Sequence, residues 1–148
     1  MRTIWIDGDG CPKLVVRFAT EEGERRGLQV MLVTNIHHEQ QAPGRLVVDG
    51  RSQSVDLAII NRLQAGDLVI TQDMGLAALV VGKKGFALSP NGQEYRGEDV
   101  TLMLEMRESA AKHRRGGGRT KGPKKRTAED EERFQQGLVS LLDRIERN

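Results

Sequence analysis

Residues 1–90 alternate short apolar runs with longer stretches of helical spacing, the pattern that a parallel sheet with crossover helices produces. Thr3–Ile6 reads as a first strand, closed by Asp7-Gly8-Asp9-Gly10. A helix is expected to begin near Cys11-Pro12, because proline suits a first helical turn, and to run through Leu14, Val15 and Phe18 to Arg26 and a terminating Gly27. Leu28–Val33 is the second strand, followed by Thr34-Asn35, and Arg45–Val48 the third. Val55, Ile59, Ile60 and Leu63 then recur at helical spacing, with Ser52 or Ser54 as a candidate cap. Asp67–Thr71 reads as strand four, Met74–Val81 as a helix ending near Gly82, and Phe86–Leu88 as strand five.

After the turn signal Ser89-Pro90-Asn91-Gly92 the pattern becomes purely helical. Val100, Leu102, Met103, Leu104 and Met106 share one helix starting near Glu98, and Phe134, Leu138, Leu141, Leu142 and Ile145 mark another from about Thr127. Thr127 is a candidate cap, and the acids behind it complement the helix dipole. No internal repeat is present.

Charge divides the 148 residues further. The net value of +2 conceals residues 112–126, which hold eight of the 23 bases and no acid, leaving 15 bases against 21 acids elsewhere, a balance of −6. The expected organisation is an α/β domain over 1–111, a flexible, basic, Gly-rich arm over 112–126, and a C-terminal helix over 127–148 that packs back on the domain. Clustered bases bind phosphate backbones through counterion release, so Arg114, Arg115, Arg119, Lys121, Lys124, Lys125 and Arg126 are candidate nucleic-acid contacts. A solvated linker, or a clamp onto the chain's own acids, would use the same composition.

Composition excludes other classes. One cysteine, Cys11, and three histidines allow neither an internal disulfide nor a structural zinc cluster of Cys/His spacing. No apolar run approaches the roughly 18 residues of a membrane span, and the first residues lead directly into a strand pattern, so a soluble cytoplasmic protein without membrane partners is expected. Aromatic residues are 3% of the chain, which argues against a base-stacking surface. The oligomeric state is open.

In a parallel sheet, loops leaving the carboxyl ends of strands share one edge, where ligands bind. Asp7 and Asp9 follow strand one, Asn35 strand two, Asp49 strand three and Asp73 strand four, while Asp56 begins the helix after strand three. Asp67 precedes strand four and belongs at the opposite edge. Carboxylates gathered on one rim repel one another, and a hard divalent cation such as Mg²⁺ or Mn²⁺ neutralises them and can activate water against phosphorus. Phosphodiester hydrolysis is the chemistry that follows, with Asp7, Asp56 and Asp73 as catalytic candidates and Asp9 completing a metal set. Asn35 and Thr71, with Thr34, are candidate positioning residues. The same Asp-Gly and Gly-Asp pairs are also ordinary turn formers.

The segments Trp5-Ile6-Asp7-Gly8-Asp9-Gly10-Cys11-Pro12, Val55-Asp56-Leu57-Ala58-Ile59-Ile60 and Gly66-Asp67-Leu68-Val69-Ile70-Thr71-Gln72-Asp73-Met74-Gly75-Leu76-Ala77, in this order, resemble the bacterial YaiI/YqxD family. The resemblance extends through Ala87–Gly92 and the Gly122-Pro123 plus Phe134–Leu142 tail. That family is similar to the PIN and NYN nucleases, which implies a PIN-like three-layer α/β fold with a central, mostly parallel sheet and C-terminal helices. It also implies a metal-dependent ribonuclease, with acidic roles on Asp7 and Asp9, on Asp56 and on Asp73. The family usually has alanine where this chain has Gly8 and Gly10, and proline at Gly75.

Other readings compete. A non-catalytic metal-binding or nucleic-acid-binding regulator would keep the same rim. Ile6-Asp7-Gly8-Asp9-Gly10 also resembles the first motif of haloacid-dehalogenase-type phosphatases, with Gly66-Asp67 and Asp73 mimicking a later one, although Cys11 replaces the small hydroxyl residue and Asp67 precedes its strand. Cys11 lies near a helix start that would favour a thiolate, yet neighbouring carboxylates oppose one, so packing is the expected role. His37 and His38 read as a solvated loop pair, and Trp5 as core.

Overall fold

The computed structural model describes residues 2–35, 44–48, 54–97, 105 and 125–147. The elements in chain order are β1 (Thr3–Asp7), α1 (Lys13–Arg25), β2 (Gln29–Asn35), β3 (Arg45–Val48), α2 (Ser54–Arg62), β4 (Leu68–Ile70), α3 (Met74–Gly82), β5 (Phe86–Leu88), β6 (Glu94–Tyr95) and α4 (Ala128–Arg147). The strands form one sheet in the order β3-β2-β1-β4-β5-β6. All neighbours are parallel except β5 and β6. The expected three-layer α/β architecture, with a mostly parallel sheet and a C-terminal helix, is therefore present. Of the expected helix near Glu98, Gly97 and Glu105 are described and are helical, and Ser54 is the first residue of α2; Ser52, His37, His38, Asp49 and most of the basic arm lie outside what is described.

Strand alternation sorts β1 between two cores. Ile4 and Ile6 face α1 and α4 with Val15, Ala19, Phe134, Leu138 and Leu142. Trp5 faces the other way, against Val55, Ile59, Leu76 and Val80 of α2 and α3. The period of two places Asp7 on the Trp5 side, toward α2 and α3. Register continues this logic: Asp7 pairs with Val33, and Ile6 with Ile70, so the carboxyl ends of the three central strands lie together.

α4 begins with a reciprocal cap. Asp130 N–H donates to Thr127 Oγ1 at 3.2 Å and Thr127 N–H to Asp130 Oδ2 at 2.8 Å. The helix is tied to α1 through Arg26, whose guanidinium reaches Glu22 (2.8 Å), Asp143 (2.8 Å) and Glu146 (3.0 Å).

Asp67 lies at the opposite sheet edge from Asp7, as its position before β4 requires. Buried at 3% exposure, it accepts hydrogen bonds from Thr3 N–H, Trp5 Nε1 and Gln64 N–H, each at 3.0 Å. Its role is to satisfy buried donors. Asp67→Ala is expected to destabilise the fold by about 3 kcal/mol, because several buried donors lose their acceptor at once. Urea unfolding checks this, and a red shift in the emission of Trp5, the chain's one tryptophan, would report the loosened network.

Candidate functional site

The turn after β1 is held against β2: Gly8 N–H donates to Val33 O at 2.8 Å and Gly10 N–H to Asp7 O at 3.2 Å. A Cβ on Gly8 would stand 2.5 Å from Thr34 Cγ2 and 2.8 Å from Val33 O, so the glycine closely fits this turn. Beside it, a cleft of about 430 Å³ is lined by Asp7, Asp9, Asp56 and Asp73, together with Gln72 and Met74. The four carboxylates expected from three separate segments thus share one cleft. Among the described residues, no three His, Cys, Asp or Glu side chains converge closely enough to form a ready coordination sphere.

Each carboxylate is positioned differently. Asp7 is buried, 6% exposed, and its Oδ2 accepts from Thr71 Oγ1 at 2.8 Å. The same hydroxyl accepts from Asp73 N–H at 3.0 Å, so Thr71 couples the ends of β1 and β4. Asp73 caps α3, its Oδ1 accepting from Gly75 N–H (2.8 Å) and Leu76 N–H (3.2 Å). Asn35 Nδ2 donates to Asp9 Oδ2 at 3.2 Å. Asp9 is exposed and Asp56, in the first turn of α2, half-buried. Thr34 Oγ1 is buried without a hydrogen-bond partner among the described residues.

The electrostatics follow from this placement. Burial pushes the Asp7 carboxyl above its ordinary value, the Thr71 hydroxyl pulls it back, and the charges of Asp9 and Asp73 push it up again. Cys11 donates to Ile70 O at 3.5 Å. Its thiol is pushed up to about 12, chiefly by burial and then by Asp7. A protonated, packed thiol is no nucleophile at neutral pH.

The phosphatase-like motif is not assembled, since Asp67 is bonded to Thr3 and Trp5 at the far edge. Of the candidate nucleic-acid contacts, Lys125 and Arg126 are described; Arg114, Arg115, Arg119, Lys121 and Lys124 lie outside the described residues. Lys125 is exposed. Arg126 is engaged within the chain, donating to Asn91 Oδ1 at 3.1 Å and to Pro90 O, and pairing with Glu131. Gln72 and Tyr95 were not signalled as site residues by sequence. Gln72 could have been found by its place beside Asp73 in the loop after β4, whereas nothing local marks Tyr95.

These features define an α/β protein with an acidic cleft at the carboxyl ends of its central strands. The chain belongs to the YaiI/YqxD family: residues 5–144 match the family described as "Uncharacterized BCR, YaiI/YqxD family". Similar full-length relatives include a UPF0178 protein of Heliobacterium modesticaldum, 45% identical over 137 residues (93% of this chain, 94% of that one). Another is a UPF0178 protein of Alkaliphilus metalliredigens, 44% identical over 146 residues (97% and 93%). Among solved structures, a mutant of Rae1 (YacP) from Bacillus subtilis aligns over 97% of this chain and 99% of its own, at 14% identity and a TM-score of 0.43. Among the described residues no helix is long and apolar enough to cross a membrane.

Proposed function

We propose that this chain is a divalent-metal-dependent nuclease that hydrolyses phosphodiester bonds, with RNA as substrate. The observation that carries the reading is Asp7: a buried carboxylate at the end of the central strand, in one cleft with Asp9, Asp56 and Asp73 and pushed above its ordinary value by burial and by its acidic neighbours. A fold retains a buried carboxyl of raised pKa at a cost in stability, and sites where it does so are enriched in function.

The donors are all hard oxygens, which suits Mg²⁺ or Mn²⁺. Mg²⁺ keeps several waters and is commonly held by one or two carboxylates together with substrate phosphate. Asp7 and Asp73 are the residues that would hold the cation, with Asp9 and Asp56 at its periphery. When bound, the cation would supply activated water and charge stabilisation at phosphorus. Thr71 fixes the Asp7 carboxyl and the Asp73 backbone relative to each other, the cap onto α3 holds the Asp73 rotamer, and Asn35 orients Asp9.

The test combines Mn²⁺ titration by calorimetry with cleavage of single-stranded RNA and DNA. Asp73→Asn is the informative variant, because asparagine caps a helix about as well as aspartate and removes only the charge. Metal-dependent RNA cleavage that falls at least a hundredfold in Asp73→Asn is the expected result. Cleavage that survives the substitution overturns the site assignment. Tight Mn²⁺ binding without turnover would favour a non-catalytic binding protein.

A further inference from the structure

The acidic cleft continues into a second one. Gln72, exposed in the loop between β4 and α3, lines both the carboxylate cleft and a groove of about 690 Å³ between the Ser89–Gly92 turn and the start of α4. That volume lies within the roughly 300–1,000 Å³ of ligand-binding clefts. Among the described residues, the first cleft is lined by four acids and no base, whereas the groove carries Lys125, Arg126 and Arg133 beside Glu129 and Asp130.

Two of these bases have work inside the chain. Arg133 pairs with Asp130, and Arg126 with Glu131, Asn91 and Pro90. Arg126 is accordingly a strut: it fixes the end of the basic run to the groove wall. Lys125, next to it, is exposed at the groove, and the six bases of residues 112–124 precede it in the chain without an intervening acid. Tyr95, 8% exposed, lines the same groove. Burial and then the charge of Asp73 raise its hydroxyl above its ordinary value.

A polyanion with one phosphate at the carboxylate cleft is repelled by the acids there and drawn toward bases beside the cleft. We infer that the groove is the track of the substrate strand: single-stranded nucleic acid crosses Gln72 from the carboxylate cleft and sets its next phosphates against Lys125. This deepens the nuclease reading, on which the position of the scissile phosphate rests, while binding in the groove stands independently of turnover.

Fluorescence anisotropy of a labelled single-stranded RNA of about 12 nucleotides, titrated with the full-length chain at several salt concentrations, tests the track. Gels run in parallel record whether the RNA is cut. Lys125→Ala should weaken binding about three- to tenfold and make the log-log salt slope shallower by about 0.7, the loss of one phosphate contact on a single strand. Gln72→Glu, a surface substitution that extends the acidic field across the junction, should weaken it at least as much. Lys112→Ala, at the other end of the basic run, should change it little. No binding by the unaltered chain, Lys125→Ala with unaltered affinity and slope, or equal losses in Lys112→Ala and Lys125→Ala would each overturn the track. Groove binding without cleavage would instead count against the nuclease reading and leave the track standing.

Discussion

Asp7→Asn is expected to raise the stability of the metal-free protein at neutral pH while abolishing the Mn²⁺ stabilisation and RNA cleavage that the proposed nuclease function requires. Asp7 is held above its ordinary value, chiefly by burial and further by Asp9 and Asp73, so the folded state prefers it protonated. The corresponding stability is fully present below pH 3.8, the ordinary value, and is lost as pH rises through the raised one. At neutral pH the ionised group therefore opposes folding. Asparagine removes the charge and keeps an oxygen able to accept from Thr71. Thermal melts across pH should show the slope attributable to Asp7 disappearing in the variant. Mn²⁺ at a hundredfold excess over its Kd should stabilise the unaltered chain by about 2.7 kcal/mol and leave Asp7→Asn unaffected. Lower stability of the variant at neutral pH, or equal Mn²⁺ stabilisation of both proteins, would show that Asp7 serves the fold and not a cation.

Gly137→Ala should destabilise the protein although it improves an isolated helix. Alanine within a helix is favoured over glycine by roughly 1 kcal/mol. Here, however, a Cβ on Gly137 would stand 2.4 Å from Gly92 O and 2.8 Å from Gly92 Cα. These are backbone atoms of a turn held at φ +86°, and α4 would have to lift from the sheet to make room. Gly92 is equally confined, since its own Cβ would meet Arg133 O at 2.2 Å. Overpacking of this kind costs about 1–3 kcal/mol and outweighs the propensity gain. Urea denaturation should show a lower midpoint with an unchanged m-value; a higher midpoint would mean that α4 does not sit against the turn as described.

The main elements were legible because burial on one face leaves a periodic trace in the chain. β3, α3, β5 and α4 lie within a residue of their expected bounds, and β2 begins one residue later and runs two residues further. β6 escaped detection, since Glu94–Tyr95 is too short to carry any period. The site was partly legible for a topological reason. Parallel strands deliver their following loops to one edge, so sorting acids by strand end placed Asp7, Asp9, Asp49, Asp56 and Asp73 together and Asp67 apart; Asp7, Asp9, Asp56 and Asp73 share the cleft, Asp67 lies apart, and Asp49 lies outside the described residues. The individual states of those acids left no such trace. That Asp7 is buried, Asp9 exposed and Asp73 bound into a helix cap depends on neighbours distant in sequence. Arg126 illustrates the same limit: within a run of bases it reads as a phosphate contact, and in the fold it meets Asn91, Pro90 and Glu131.

By itself, the amino-acid sequence determined the α/β class, the split between an acidic domain and a basic run, and the set of acids at the carboxyl edge, because each follows from spacing along the covalent chain. Only the tertiary structure decided which carboxylate is buried, which bases act as struts, and that Gln72 joins the acidic cleft to a basic-lined groove. Those properties depend on burial and on separations of a few ångströms between residues remote in the chain, and they come into existence when the sheet and its two flanking layers close.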